Sequence, residues 1–165
     1  MQIKLEKLGL KFSKDIETAL NNIKITDNLR DLPNPYTVEN AMEFIKSVQG
    51  SAENYFFAIT VDGRFVGCIS ATRMNNIHYR IAEVGYYVIP EYWNKGIASY
   101  ALKYLTEYIF SNSDIIRLFA EPFARNIASC RVLEKAGFSY EGTLKSNAVK
   151  NGRVEDMKVY ALIKN

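Results

Sequence analysis

The segment from Val84 to Leu102 constrains the fold most, because it predicts a strand, a loop and a helix in immediate succession. Residues 86 to 89 are aromatic or β-branched strand formers. Pro90 ends the strand, since proline has no amide hydrogen to donate to a ladder. The helix should begin near Gly96. Beyond it apolar residues recur at helical spacing, at Ala98, Ala101, Leu102, Leu105 and Ile109.

The start of this helix is a candidate anion-binding site. The first amides of a helix have no partner within it, and they lie at the positive end of the helix dipole. With no side chain at Gly96 and a small one at Ala98, a phosphate group has room to approach the main chain closely. Glycine before a helix is also common in tight turns, so this segment alone leaves both interpretations open.

Length and composition predict one soluble globular domain spanning residues 1–165. A chain of 165 residues with 48% hydrophobic and 24% charged residues is long enough to bury a sizeable core. Its first residues are charged where a signal peptide needs an apolar run, and no segment approaches the roughly 20 apolar residues of a membrane span. We therefore expect a cytoplasmic protein. The net charge of +3, without a block of basic residues, favours neither a nucleic-acid nor a membrane partner.

The cysteines and the histidine argue against thiol and metal chemistry. Cys68 and Cys130 each lie in an apolar stretch, which is typical of buried free thiols and does not favour a disulfide. His78 is the only histidine and falls in a polar loop, so neither cysteine has an obvious base. We expect no metal site.

The periodicity along the chain predicts an α+β fold with a central mixed, largely antiparallel sheet and helices on both faces. Asp62-Gly63 and Asn151-Gly152 are two-residue hairpin signatures, so their flanking strands should pair antiparallel. A doubly wound Rossmann sheet fits poorly, because the chain has no G-x-G-x-x-G. The expected elements are a strand Ile3 to Leu8, helices from Ser13 to about Asn22 and from Thr37 to Gly50, strands Tyr55 to Val61, Arg64 to Ala71, Arg80 to Ile89 and Arg117 to Glu121, a helix Asn126 to Ala136, and hairpin arms Tyr140 to Val149 and Val154 to Ile163.

The loop from Leu32 to Thr37 is a candidate substrate rim. Pro33 and Pro35 hold the chain extended, and Tyr36 between the two helices would be costly to leave in water without a purpose.

A second motif follows the predicted strand at Arg117, and the two motifs together carry a family resemblance. The chain resembles the GNAT superfamily of acetyl-CoA-dependent N-acetyltransferases, and within it the branch of ribosomal-protein N-terminal acetyltransferases that includes RimJ and RimL. The motifs are Glu83-x-Gly-Tyr, Pro90-Glu-Tyr-Trp-Asn-Lys-Gly-Ile-Ala98, Asn126-x-x-Ser129, Leu133-Glu-Lys-x-Gly-Phe138 and Asp156-x-x-x-Tyr160-x-Leu162.

The resemblance implies a GNAT-like fold with acetyl-CoA as cofactor. The backbone at the start of the Gly96 helix would take the pyrophosphate, the preceding strand edge would pair with the pantetheine arm, and an amide near Val88 would stabilise the developing oxyanion. The residues assigned to the cofactor are Tyr87, Val88, Ile89, Asn94, Lys95, Gly96, Ile97, Ala98, Ser99 and Asn126.

The same resemblance implies Glu83 as the catalytic base and Ser129 as the acid that protonates the departing thiolate. Alternation along the strand places Glu83 on the face of Gly85 and Tyr87. From the residues alone, Glu83 would be a solvated strand residue and Ser129 a helix-start serine bonded to its own backbone.

Two departures from the superfamily pattern affect the site. Trp93 stands where glutamine or arginine is common, so the pyrophosphate has no expected side-chain cation there. In many members of the superfamily a tyrosine in the last helix is the general acid, and Leu133 occupies that position here. Tyr86 and Tyr87 are therefore alternatives to Ser129 as the general acid.

The expected acceptor is a primary amine, with a protein N-terminus favoured and with Tyr36 and Tyr86 as substrate-binding residues. An α-amine has a pKa of about 8 against about 10.4 for lysine, so it needs less help to lose its proton. The alternatives are a small-molecule acceptor (a polyamine, an amino acid or an aminoglycoside) and a non-catalytic acetyl-CoA sensor. The chain should act as a monomer or a homodimer.

Overall fold

The computed structural model describes residues 1–165 as a seven-stranded sheet with five helices. The strands are β1 (Ile3–Lys7), β2 (Asn54–Val61), β3 (Arg64–Arg73), β4 (Ile81–Val88), β5 (Arg117–Ala120), β6 (Ser139–Lys150) and β7 (Arg153–Ile163). The helices are α1 (Ser13–Leu20), α2 (Ile23–Thr26), α3 (Val38–Val48), α4 (Ile97–Asn112) and α5 (Ile127–Lys135).

The sheet order is β1-β2-β3-β4-β5-β7-β6, and only the β4–β5 pair is parallel. The predicted mixed, largely antiparallel sheet is therefore confirmed. Both predicted hairpins form, because the two residues at each turn adopt the positive φ that such turns require: 50° and 80° at Asp62-Gly63, and 50° and 76° at Asn151-Gly152.

Helices cover both faces of the sheet, as expected. Neighbouring residues of β2 point into different cores, since side chains alternate along a strand: Ile59 packs with α4 and α5, and Ala58 packs with α1 and α3. Leu102 and Leu133 are fully buried in the first core, and Ile45 is fully buried in the second.

The first helical region differs from its prediction. Ser13 does not cap α1, because its hydroxyl donates to the carbonyl oxygen of Leu10 at 2.7 Å. The helix ends at Leu20, and a short unpredicted helix, α2, follows it, capped by Asn22. The helix start predicted at Thr37 is confirmed, because Thr37 caps α3: its Oγ1 accepts the amide hydrogen of Asn40 at 3.1 Å.

Cys68 and Cys130 are both free thiols. No helix combines the length and the apolar character needed to traverse a bilayer.

Candidate active site

The sheet opens between β4 and β5, and this gap forms the site. The two strands pair only over Ile81–Glu83 and Arg117–Phe119. Beyond that point β4 continues to Val88, whereas β5 ends before Pro122, which has no amide hydrogen for a ladder. A groove of about 860 Å³ occupies the gap, lined by β4, the starts of α4 and α5, and the segment around α2.

The free edge of β4 presents the backbone of Val88 to this groove. The amide of Ile89 donates to the carbonyl oxygen of Val66 on β3 at 2.8 Å. Because hydrogen bonding alternates along an antiparallel strand, Tyr87 and Ile89 direct their backbone groups toward β3, and Tyr86 and Val88 direct theirs toward the gap. Of the predicted edge from Tyr87 to Ile89, only Val88 therefore faces a ligand with its main chain.

Ile89 is a correction in a second respect. Its side chain packs against the two cores, and it does not line the groove. On the gap side, the carbonyl of Val88 accepts from Trp93, whose indole Nε1 donates to it at 2.6 Å. Trp93 thus fixes the turn between β4 and α4 and takes one of the two backbone groups of Val88.

The start of α4 has the free amides that an anion needs. Gly96 is the cap residue with φ 74°, and no side chain caps the helix, so the amides of Ile97, Ala98 and Ser99 have no intrahelical partner. A Cβ placed at Gly96 would meet nothing within 4 Å, which leaves the space before these amides open. The groove there is lined by Asn94, Lys95, Gly96, Ile97, Ala98 and Ser99, as predicted for the cofactor, and also by Arg131 and Lys135.

The oxygen and the nitrogen of the Asn126 side-chain amide differ in what they can bind. The Oδ1 of Asn126 accepts the amide hydrogen of Ser129 at 3.2 Å and so caps α5. The side-chain amide retains its Nδ2 donors, and Asn126 lines the groove, so it is able to bind an amide carbonyl there.

Ser129 and Tyr86 form a hydrogen-bonded pair on the side of α4 and α5. The Tyr86 hydroxyl lies 2.8 Å from Ser129 Oγ and 3.1 Å from the Ser129 carbonyl oxygen. Burial raises the pKa of Tyr86 well above its ordinary value, and the bond to Ser129 opposes this only in part. Tyr86 therefore stays protonated, and it lines the groove beside Ser129. Leu133 is fully buried in the core.

The side chains of Glu83 and Tyr87 lie on the face of the sheet opposite to that of Tyr86, as the alternation along β4 predicts. The Glu83 side chain is 27% exposed, and its Oε1 lies 2.8 Å from Nη2 of Arg30, a residue of the loop after α2. The Tyr87 hydroxyl donates to Cys68 Sγ at 3.3 Å, and burial raises the pKa of this tyrosine well above its ordinary value.

Glu121 is a second carboxylate of the groove, and sequence reasoning missed it. Burial raises its pKa, the charge of Glu83 raises it further, and the charge of Arg30 opposes both. The only signal in the sequence is strand alternation: Glu121 follows Phe119 by two residues, so it lies on the same face as Phe119, and Phe119 pairs with Glu83 in the structure. That signal could not be used without knowing that β4 and β5 are neighbours.

The side of the groove that holds Arg30 is walled by α2 and the residues after it, which were also not predicted. Ion pairs fasten this wall to the β6–β7 hairpin. Asp27 lies 2.8 Å from Arg153 and 3.4 Å from Arg125, and it accepts from Asn151 at 2.9 Å. These contacts, led by the one to Arg153, lower the pKa of Asp27. The wall residues are Lys24, Ile25, Asn28, Leu29 and Arg30.

Tyr36 is not part of this wall, which corrects the expectation for its loop. Its side chain is only 5% exposed and packs in the second core, and Asn21 holds its backbone through bonds of 2.7 and 3.0 Å. Burial is also the main reason that its pKa is raised. Burial of the Tyr36 ring among apolar side chains is favourable, and it outweighs the exposed rim position that was expected for this loop.

The sequence matches known proteins along most of its length. The family profile described as "Acetyltransferase (GNAT) domain" matches residues 11–139. The probable N-acetyltransferase YjcK of Bacillus subtilis (strain 168) is 34% identical over 133 residues, 78% of this chain and 74% of that protein. The uncharacterized N-acetyltransferase YoaA of the same organism is 41% identical over 86 residues, which span 52% of this chain and 49% of that protein.

Solved structures share the fold at lower identity. RimL, a ribosomal L7/L12 alpha-N-protein acetyltransferase in complex with coenzyme A, has a TM-score of 0.89 at 21% identity, covering 99% of this chain and 94% of that chain. The spermidine N-acetyltransferase from Vibrio cholerae in complex with CoA and spermine has a TM-score of 0.87 at 22% identity, covering 99% and 96%.

The family profile spans most of the chain, and the relative YjcK is similar over more than two thirds of it. The groove supplies the free helix amides and the open strand edge that a coenzyme A thioester requires. This chain therefore belongs to the GNAT family of acetyl-CoA-dependent N-acetyltransferases.

Proposed function

We propose that this protein acetylates the α-amine at the N-terminus of a peptide or protein, by direct attack of the amine on the thioester of acetyl-CoA. The observation that carries the proposal is the charge of the acceptor side, where Glu83 and Glu121 meet a single guanidinium, that of Arg30. Arg30 pairs with Glu83 alone, and Lys24, the other cation of this wall, makes no ion pair, so Glu121 is left without an ionic partner and can accept an ammonium group.

Acetyl-CoA supplies an activated acetyl group and a thiolate leaving group. On the protein side, the first amides of α4 bind the pyrophosphate, and Asn126 Nδ2 binds an amide of the pantetheine arm. The Val88 amide faces the gap and stabilises negative charge that develops on the carbonyl oxygen.

Two carboxylates are candidates for the base, and we assign them different tasks. Glu83, the base predicted from the sequence, is engaged by Arg30 and receives the acceptor's ammonium group. Glu121 makes no ion pair, and its pKa is raised toward the working pH, which makes a carboxylate a better base. It takes the amine proton, directly or through one water, before the nitrogen attacks the carbonyl carbon.

Ser129 donates the proton that the departing sulfur needs as the carbon–sulfur bond breaks. Its hydroxyl is bonded to Tyr86, a phenol that stays protonated because it is buried, so Tyr86 is positioned to replace the proton. The ammonium group thus gives up two protons in all: one to Glu121 before the attack, and one to water as the tetrahedral intermediate collapses to the amide. The departing sulfur gains one proton from Ser129, which recovers a proton through Tyr86, so each turnover releases one proton to solvent.

Measuring acetyl-CoA turnover with matched acceptors tests the proposal. The acceptors are a tripeptide amide with a free α-amine, an N-acetylated tripeptide amide containing lysine, and spermidine. Free thiol is followed with a thiol-reactive dye, and mass spectrometry locates the acetyl group. At pH near 8 the unprotonated fraction of an α-amine exceeds that of a lysine amine by about 10²-fold. We therefore expect kcat/KM to be higher for the tripeptide amide with a free α-amine than for the N-acetylated lysine peptide or for spermidine.

Preferential acetylation of spermidine would contradict the peptide assignment and favour a polyamine acetyltransferase. Binding of acetyl-CoA by calorimetry, with no thiol release from any acceptor, would identify a non-catalytic sensor.

A further inference from the structure

Arg30 occupies the position beside Glu83 in which the proposed function places the acceptor's ammonium group. Its Nη2 lies 2.8 Å from Glu83 Oε1, which is the distance at which an ammonium would bind the same oxygen. The Arg30 side chain is 80% exposed, and Glu83 is its ionic partner. In the absence of an acceptor, the guanidinium therefore fills the cation position of the groove.

The backbone beside Arg30 is anchored, whereas its exposed side chain is held only by Glu83. The neighbouring Asp31 lies 3.0 Å from Nζ of Lys150, a lysine whose side chain is only 8% exposed. Asp27, four residues before Asp31, is fastened to the hairpin through Arg153. The loop thus keeps the guanidinium within reach of Glu83, while the side chain can swing into solvent.

Displacing this guanidinium should be easy. Ion pairs with an exposed partner contribute little to stability, because water solvates the released charges. A single incoming ammonium can replace Arg30 at Glu83, and the guanidinium then remains close to the groove mouth. A polyamine brings further ammonium groups along the same path, and these are repelled by the displaced guanidinium.

We propose that Arg30 determines acceptor specificity, by admitting acceptors with one positive charge and disfavouring polyamines. The inference rests on the proposed function, because it concerns the acceptor side of the same site. It makes Arg30 a specificity residue that acts by charge, so its effect must appear in the KM of the acceptor and not in cofactor binding.

The test compares the wild-type protein with Arg30→Ala and Arg30→Lys, using spermidine and the tripeptide amide whose α-amine is its only charge. In Arg30→Ala the ratio of kcat/KM for spermidine to kcat/KM for the peptide should rise about tenfold or more, mainly through a lower KM for spermidine. Arg30→Lys keeps the charge and should stay within about threefold of wild type. Raising the salt concentration should shrink the difference between Arg30→Ala and wild type.

Lys24→Ala is the matched control, because it removes one positive charge from the same wall at a residue that makes no ion pair with Glu83. It should change the ratio by less than about threefold, since the repulsion falls with distance. An equal effect of Lys24→Ala would show that net charge alone decides, and would overturn the assignment to Arg30.

A second readout does not depend on turnover. Spermidine binding to the coenzyme A-loaded protein is measured by calorimetry, and Arg30→Ala should bind it about tenfold more tightly than wild type. Unchanged spermidine affinity and an unchanged ratio in Arg30→Ala would refute the inference. The wild-type acceptor preference tests the proposed function separately, because it is measured without any variant.

Discussion

Gly67→Ala, a change on β3, should disturb the free edge of β4 at Val88. Gly67 pairs with Val88, and a Cβ at Gly67 would overlap the carbonyl oxygen of Tyr87 and lie 3.0 Å from Tyr87 C and Val88 Cα. These are backbone atoms inside a ladder, so no side-chain rotation can relieve the overlap. β3 and β4 must separate at the residue whose amide faces the groove.

The expected cost follows from these contacts. Overpacking in a well-packed interior costs about 1–3 kcal/mol. Separating the strands also weakens the bond from the Ile89 amide to Val66, now 2.8 Å, which contributes about 1 kcal/mol. A total of about 3 kcal/mol should lower Tm by about 6–12 °C in a domain of this size. Because Val88 moves with the strand, acetyl-CoA should also bind more weakly.

Gly85→Ala is the matched control in the same sheet. Its Cβ would meet only Ser70 Oγ, at 3.6 Å, which is an ordinary contact. Differential scanning calorimetry of both variants, with acetyl-CoA titrations, checks the prediction. A Tm for Gly67→Ala within about 2 °C of wild type would show that the strands absorb the added methyl, and the reasoning would fail.

Three further predictions concern the site. Glu121→Gln should lower kcat by about 10²-fold or more. It should also raise Tm at neutral pH, because the pKa of Glu121 is raised in the folded protein. Such a carboxyl makes the folded protein less stable as pH rises above its unfolded pKa of about 4.3, and glutamine removes that cost. Unchanged kcat would remove Glu121 from the proton transfer. Ser129→Ala should lower kcat by about 10²-fold with unchanged acetyl-CoA affinity. Asn126 caps the helix through the backbone amide of residue 129, so the cap survives the substitution. A large loss of acetyl-CoA affinity would instead indicate a binding role for Ser129. Asp27→Asn should lower Tm at pH 7 and raise the acceptor KM by loosening the α2 wall. The contacts that lower the folded pKa of Asp27 stabilise the protein at pH values above the unfolded pKa of an aspartate, about 3.9. The Tm difference between Asp27→Asn and wild type should therefore vanish as pH falls through the folded pKa. A difference that persists at pH of about 2 would contradict the ion-pair explanation.

Much of the fold could be predicted because the decisive signals were local. The turns at Asp62-Gly63 and Asn151-Gly152 require positive φ at adjacent residues, which these residue types tolerate. The cap at Thr37 and the helix start at Gly96 depend on bonds or dihedral angles within a few residues. Strand alternation placed Glu83 and Tyr87 on one face without knowledge of the neighbouring strands.

The chemistry of the groove depended instead on residues far apart in sequence. Glu83 and Arg30 are 53 positions apart. The pKa of Glu121 is raised first by burial and then by the charge of Glu83, which lies on the neighbouring strand β4. Tyr36 was expected at a rim, yet the packing of α1 and α3 offers its ring a core site that no local pattern encodes.

The sequence by itself determined most of the elements, both hairpin turns and the start of α4 at Gly96, since each rests on dihedral preferences and caps within one segment. Only the tertiary structure decided which backbone group of β4 faces the gap, which carboxylates share it, and that Arg30 accompanies them. Hydrogen-bond partners across a sheet, desolvation and Coulomb energy all depend on distances between segments, and those distances are set when the sheet assembles around its two cores.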